Sequence, residues 1–199
     1  MMVSVALFTI VMMVALGALL GLSEANRKAD AISAAVNNLG AALDVMSRTI
    51  RTGTQYHGQS NGGINATCGP TVLTSPEDCI GSPGANVFAF LNSDGVEVVY
   101  IFENTTVDPS GAAQKCGQAT GTVGCILRST DGGSTWLPMT SPDVVITNLT
   151  FYVTGSTRGS PDNEQPRVII LIAGYVAVTS VQQSAFRIES SVTQRVYDQ

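Results

Sequence analysis

The chain opens with an uninterrupted series of apolar positions. Residues 1–22 are apolar or small, with Ser4 and Thr9 as the only polar side chains, and Glu24 is the first charged residue. At 1.5 Å per residue, a helix of this length spans about 33 Å, enough to cross the hydrocarbon layer of a membrane. A secretory signal peptide has a positively charged start and a shorter apolar core, whereas residues 1–22 contain no Lys or Arg. The pattern therefore predicts a membrane-spanning helical segment.

Apolar positions continue beyond this segment in a helical rhythm. After a polar cluster at 23–30 they recur at steps of four and three residues, the spacing that places side chains on one face of an α-helix. The members of this stripe are Ile32, Val36, Leu39, Leu43, Met46 and Ile50. The opposite face carries Asn37, Asn38, Asp44, Arg48 and Arg51. Ala25 and Ala29 extend the stripe towards the N-terminus, and Gly53 is placed to end the helix, since glycine favours helix C-termini. We predict one helix of about 50 residues, apolar all round in its first half and amphipathic in its second.

The remainder of the chain has the pattern of β-strands. Runs rich in β-branched and aromatic residues occupy 86–91, 96–102, 124–130, 135–140, 143–153, 167–178 and 185–196. The residues NSDG at 92–95 join the first two runs as a hairpin turn, and short connections between the runs predict antiparallel pairing. The run 167–178 is the most apolar and is expected at the centre of the sheet. Residues 53–85 are predicted to form a long loop.

Helix and strands together predict an α+β fold, in which the second half of the helix packs on an antiparallel β-sheet. The chain then divides into residues 1–22 as the membrane half of the helix, 23–53 as its amphipathic half, and 54–199 as a β-sheet head. The amphipathic half also has the pattern of a helix that pairs in a coiled coil. Packing on a sheet of the same chain is favoured because a β-rich segment follows.

Four cysteines, Cys68, Cys79, Cys116 and Cys125, lie in the polar, glycine-rich part of the chain. An even number in such surroundings indicates disulfides formed in an oxidising compartment. Four cysteines allow three pairings. The local pairing, Cys68 with Cys79 and Cys116 with Cys125, is favoured because each pair closes a short loop that contains glycine. Zinc is the weaker interpretation, since no two cysteines have the C-x-x-C spacing with which one turn grips the ion.

Residues 129–136, STDGGSTW, match the S-x-D-x-G-x-T-W pattern of the Asp box, a hairpin that is repeated in sialidase-type propellers. In this motif the carboxylate of Asp131 accepts hydrogen bonds across the turn, Gly133 is a turn residue, and Trp136 packs beneath. A propeller needs several copies and this chain has one. The motif therefore predicts a hairpin turn, with a glycan-binding loop as the alternative.

The remaining candidates for chemistry have weak patterns. His57, the only histidine, is predicted to be a solvated loop residue rather than part of a catalytic triad. Asp162, Asn163 and Glu164 offer oxygen atoms to calcium but lack the spaced series of carboxylates that calcium loops use, so no cofactor is predicted. The net charge of −5 and the lack of a basic patch in the sequence argue against nucleic-acid binding. The sequence has neither a Walker-type glycine loop nor an evident pair of catalytic carboxylates, and no enzyme activity is predicted.

The segment MMVSVALFTIVMMVALGALLGLSEANRKADAISAAVNNLGAALDVMSRTIRTG resembles the N-terminal helix of type IV pilins and type II secretion pseudopilins. The segments VVITNLTFYVTGS, EQPRVIILIAGYVAV and AFRIESSVTQRVYDQ are similar to parts of bacterial prepilin-like proteins. In that family a leader, a cleavage site and a glutamate precede or open the helix, and none of these is assigned to a residue of this chain. We expect the reading frame upstream of Met1 to encode a basic leader that ends in Gly.

The resemblance implies a structural subunit, a pilin or pseudopilin, of a type IV pilus or a type II secretion filament, and we expect it to be a minor one. Before assembly it implies a single-pass protein of the bacterial inner membrane with an extracytoplasmic head, and afterwards a place in a pilus or pseudopilus. The implied partners are other pilin or pseudopilin subunits, contacted through the N-terminal helix, and a prepilin peptidase. The alternative is a membrane-anchored extracytoplasmic glycan-binding module or hydrolase.

Overall fold

The structure is a computed structural model, and it describes residues 2–59, 76–81, 83–104, 116, 124–157, 164–177 and 183–195. One long helix, α1, spans Met2–Thr52. The strands that follow are β1 Thr54–Gln59, β2 Val87–Leu91, β3 Glu97–Glu103, β4 Cys125–Ser129, β5 Leu137–Pro138, β6 Val144–Thr154, β7 Arg167–Ala177 and β8 Gln183–Thr193. The predicted α+β class is confirmed, because the second half of α1 packs against antiparallel strands.

The helix has the predicted length. It contains 51 residues, none of them proline, so its backbone hydrogen bonds run without interruption. Gly53 follows its last turn and donates an amide hydrogen bond to the carbonyl of Ile50 at 2.9 Å. Gln55 then adopts a positive φ of 58°, and this local change of direction leads the chain from the helix straight into β1.

The head contains two antiparallel sheets, where one was predicted. The five-stranded sheet has the order β1-β2-β3-β4-β5, and the three-stranded sheet has the order β6-β7-β8. The predicted antiparallel pairing is present, but the strands divide between two sheets, because the chain changes sheet after the two-residue edge strand β5. The hairpin at 92–95 is confirmed by the pairing of Leu91 with Glu97. The central position of the run 167–178 is confirmed within the three-stranded sheet, where β7 is the middle strand.

Strand β1 lies inside the segment that was predicted to be a loop. It pairs antiparallel with β2, with His57 opposite Ala89. Tyr56 is fully buried, and its ring meets that of Phe88 edge-on at a centroid distance of 5.6 Å. Pairing with a distant strand thus holds a segment whose own residues, TQYHGQ, have little β-strand character. The part of the predicted loop at 60–75 lies outside the described residues.

The five-stranded sheet is buried on both faces, because successive side chains of a strand point to opposite sides. On one face, Phe88, Phe90 and Tyr100 join the main core, which α1 and the three-stranded sheet complete. The other face carries a second cluster around Cys116 and Cys125, formed with Val87, Ala89, Val99, Ile101, Leu127 and Trp136. Both faces of this sheet therefore contribute to a hydrophobic core.

The disulfides follow the predicted local pairing where the structure describes them. Cys116 and Cys125 form a disulfide, with their Cα atoms 6.1 Å apart. Closing a loop of this size is worth about 3 kcal/mol on the chain-entropy model. Cys79 is also disulfide-bonded, and its backbone forms a bridge with Val153 of β6. Cys68, its predicted partner, lies outside the described residues.

Candidate functional site

The first part of α1 is not covered by the head. All side chains from Met2 to Asp30 are exposed, and they include large apolar residues such as Leu7, Phe8 and Leu20. By length and composition, α1 is able to cross a membrane. An apolar surface of this extent is unfavourable in water and calls for lipid or other apolar helices around it.

The second part of α1 docks on the head through a narrow face. Its buried residues are Ala35, Leu39, Ala42, Met46 and Ile50. They recur at three- or four-residue steps and therefore form one stripe. Leu39, Met46 and Ile50 join the main core, and Leu43 is partly buried against it. The head thus holds the helix by the C-terminal part of the predicted stripe.

Two members of the predicted stripe do not dock. Ile32 is 36% exposed and Val36 is 59% exposed, so the prediction that they pack on the sheet is wrong. The helix touches the head at this level through Ala31 and Ala35. Ala35 is about 100° of helix rotation away from Val36, which directs the larger side chain away from the head. Small alanines on the docked face let the helix backbone approach the strands closely.

Two side-chain hydrogen bonds add to the apolar docking. The hydroxyl oxygens of Thr49 and Tyr100 are 2.7 Å apart, and the side-chain oxygen of Asn38 accepts a hydrogen bond of 2.9 Å from the Ser141 amide. Burial raises the pKa of Tyr100, although the bond to Thr49 and the charge of Arg128 act in the opposite direction. The phenol therefore stays neutral and remains able to bond to the helix over the whole physiological pH range.

A groove of about 480 Å³ opens beside α1 at the N-terminal end of the docked part. Its lining residues are Ala31, Ala34, Ala35 and Asn38 from the helix, with Ser141, Asp143, Val144 and Val176 from the head. Asp143 is exposed, and its carboxylate accepts a long hydrogen bond of 3.4 Å from the Ser141 hydroxyl. The groove therefore combines small helix side chains with a negative charge on its head side.

The Asp-box segment forms the predicted hairpin turn between β4 and β5. One oxygen of Asp131 accepts hydrogen bonds from the Ser129 hydroxyl at 2.7 Å and the Thr135 amide at 2.8 Å, and the other accepts one from the Thr135 hydroxyl at 2.6 Å. Gly133 has a φ of +89°, which glycine adopts without strain. Trp136 is buried in the second cluster. Because both oxygens of Asp131 are engaged within the turn, this carboxylate serves the local structure.

Because of its hydrogen bonds, the contribution of Asp131 to the stability of the fold depends on pH. The bonds from Thr135, and then that from Ser129, lower the pKa of Asp131 to about 2 from its ordinary value of 3.8. Because the folded-state pKa is the lower one, the ionised carboxylate stabilises the fold at pH values above about 4, and this contribution is lost as the pH falls through the folded-state pKa. We expect the difference in melting temperature between the wild type and Asp131→Asn to shrink as the pH falls from the ordinary pKa of 3.8 to the folded-state pKa of about 2.

The control for this experiment is Asp94→Asn, in another exposed turn. The carboxylate of Asp94 accepts no hydrogen bond among the described residues, where the turn is held by the Asn92 side chain instead. Asp94→Asn removes no hydrogen bond of this kind, so its melting curves are the baseline for those of Asp131→Asn. Parallel pH curves for the Asp131 and Asp94 variants in thermal melts would contradict the role given to Asp131.

The other predicted candidates do not assemble into a site. His57 is buried in β1, so the prediction of a solvated histidine is wrong; the pairing of β1 with β2 carries it into the head. Asp162 and Asn163 of the calcium candidate lie outside the described residues, and Glu164 is exposed. Among the residues that the structure describes, no three of the types His, Cys, Asp and Glu lie close enough together to hold a metal ion.

The candidate site is therefore a surface: an exposed apolar half of α1, a docked half, and the groove where the two meet. Neither a protein-family model nor a curated protein nor a solved structure matches the chain.

Proposed function

We propose that this chain is a structural subunit of a filament, a pilin or pseudopilin of a type IV pilus or a type II secretion system, without a catalytic role. The observation that carries the proposal is the division of α1. One continuous helix is exposed and apolar over residues 2–22 and is docked on a β-rich head between Ala35 and Ile50. The resemblance of the helix sequence to pilin helices supports the same function.

A helix that is apolar all round fits two environments. In a membrane it satisfies its own backbone hydrogen bonds and presents mainly apolar side chains to lipid; the polar hydroxyl of Thr9 donates a hydrogen bond to the Ala6 carbonyl within the helix. In a bundle of like helices the same surface is shielded from water by its neighbours. Residues 2–22 would therefore anchor the subunit in the inner membrane before assembly and would form the filament core afterwards, with no change of fold.

A filament also needs each head to be held at a fixed angle to its helix. Leu39 and Ile50 are almost fully buried in the docked face. At the C-terminal end of α1, the Tyr56 hydroxyl donates a hydrogen bond to the Ile50 carbonyl, and the Arg195 amide donates one to the Arg51 carbonyl at 2.8 Å. Apolar packing and these hydrogen bonds together would orient every head alike along a filament.

Removal of residues 2–22 tests this division. We expect the truncated chain to be soluble, with a head that melts at the same temperature as that of the full chain, because the removed side chains are exposed and not packed on the head. Gel filtration and circular dichroism melts measure both properties. A truncated chain that is unfolded would contradict the division of α1 into an anchor and a docked half.

The full chain tests assembly itself. We expect it to partition into lipid vesicles and, in cells that contain a type IV pilus or type II secretion system, to be recovered in filaments that antibodies against the head label in electron micrographs. The truncated chain is the matched control and should be absent from the filaments. Recovery of the full chain only in the membrane, never in filaments, would contradict the proposed function and favour a membrane-anchored module.

A further inference from the structure

Part of the apolar stripe on α1 is left uncovered by the head. Ala25, Ala29, Ile32 and Val36 follow one another at steps of four and three residues and so share one face of the helix. All four are exposed, although they lie beyond the segment 2–22 and approach the level of the head. Apolar side chains at helical spacing on an uncovered face are typical of a helix that docks in a groove.

The groove beside the docked part of α1 has the properties that such a helix requires. Ala31 and Ala34 line it from the helix side, and small side chains allow a second helix to approach closely. Val144 and Val176 give it an apolar floor on the head side. The groove and the uncovered stripe lie on different sides of α1, so one copy of the chain can offer its stripe to a neighbour and its groove to another.

We propose that this groove receives residues 25–36 of α1 from a second copy of the chain, an inference that rests on the proposed function as a filament subunit. The two helices run parallel, as a shared membrane requires. An offset of six residues places Ala25 of one copy at the level of Ala31 of the other. Lys28 of the first copy then lies at the level of Ala34 of the second. At 1.5 Å per residue this offset is about 9 Å along the helix axis.

Charge complementarity assigns the groove to this occupant. In the proposed register, the ammonium group of Lys28 lies beside the groove that carries Asp143 on its head side. Within the described residues, the ion pair of Arg48 with Asp44 involves neither Lys28 nor Asp143. The carboxylate of Asp143 accepts its long hydrogen bond from the Ser141 hydroxyl, which carries no charge to offset that of the carboxylate. A lysine beside the apolar stripe and an aspartate beside the groove complement each other between copies.

Crosslinking of the full chain in lipid vesicles tests this contact. The variant combines Lys28→Cys with Asp143→Cys and is treated with a bis-maleimide, which reacts with free thiols and spares disulfides. The described native cysteines are all disulfide-bonded. We expect a ladder of dimers and higher multimers, because each copy offers one thiol to each of two neighbours. A link within one copy would leave only monomers and would overturn the inference.

The matched control pair is Lys28→Cys with Asp94→Cys. Asp94 is exposed and lies in the turn after β2. Leu91, the last residue of β2, pairs with Thr54, just beyond the C-terminal end of α1. This position is far from the groove along the helix axis, so the control should give no ladder. Ladders of equal strength from the two pairs would show contact without a defined register and would overturn the inference.

Two kinds of substitution test this contact independently of the proposed function: reversal of a charge and replacement of an apolar residue by a charged one. We expect Asp143→Lys and Lys28→Asp each to lose recovery in filaments, and the double variant to regain it. Val36→Asp should lose recovery in filaments while the head melts at the wild-type temperature. If the wild type assembles and all of these variants assemble equally well, the contact is overturned and the proposed function stands. If the wild type itself never enters filaments, both are overturned.

Discussion

Leu39→Asp is expected to lower the free energy of unfolding by about 3–5 kcal/mol, a large part of the stability of an ordinary domain. Leu39 is 1% exposed and lies in the main core between α1 and the strands of the head. The substitution removes apolar contacts and places a carboxylate without a partner in that interface. The helix then loses one of the buried apolar contacts that attach it to the head.

Val36→Asp is the matched control for this change, three residues away on the same helix. Val36 is 59% exposed, so its substitution should cost less than about 1 kcal/mol, mainly through helix propensity. Thermal unfolding of the full chain in detergent micelles, followed by near-ultraviolet circular dichroism, compares the two variants. Equal melting temperatures would mean that the buried stripe through Leu39 does not hold the head on the helix.

The helix and the first hairpin could be predicted because their signals are local. The rhythm of apolar residues from Ile32 to Ile50 reports helical geometry directly. In the hairpin, the Asn92 side chain accepts hydrogen bonds from the amides of Asp94 and Val96, each at 2.9 Å, and this turn chemistry can be seen in the sequence NSDG. Elements whose stability comes from neighbours in sequence leave such patterns.

Strand β1 and the division into two sheets could not be predicted, because contacts between distant residues decide them. In TQYHGQ, the buried Tyr56 and His57 stand among polar residues and a glycine, and nothing in the segment itself indicates the pairing with β2. Likewise, short connections between strands predict antiparallel neighbours but do not show where one sheet ends.

The candidate site shows the limit of periodicity. A helical pattern tells which residues share a face, but not which surface covers that face. The pattern places Leu39, Met46 and Ile50 on the same helix face as Val36. The first three are buried, whereas the head leaves Val36 exposed. The pattern also places Asn38 on the polar face, although this side chain accepts a hydrogen bond from the head at Ser141. Because Ser141 lies in a connection far along the chain, no local signal could reveal that contact.

The junction between the two sheets depends on a close backbone approach that only glycine allows. Gly124 is buried, and its carbonyl accepts a hydrogen bond of 2.8 Å from the amide of Ile146 in β6. A Cβ atom at position 124 would lie 1.8 Å from the Ile146 carbonyl oxygen. Since that atom belongs to the backbone, no side-chain rotation relieves the overlap, and the beginning of β4 would have to move away from β6.

We therefore expect Gly124→Ala to destabilise the head by about 2–5 kcal/mol, through overpacking and the loss of a buried backbone hydrogen bond. The same substitution at Gly40 is the matched control and should have the opposite sign. Gly40 is exposed within α1, and an added Cβ there meets no atom within 4 Å. Alanine should stabilise the helix at that position by about 0.5–1 kcal/mol. Chemical denaturation of both variants of the full chain in micelles gives the two free energies. A neutral or stabilising Gly124→Ala would show that the sheets are not joined by the contact between Gly124 and Ile146, and the layered packing of the head would have to be revised at that point.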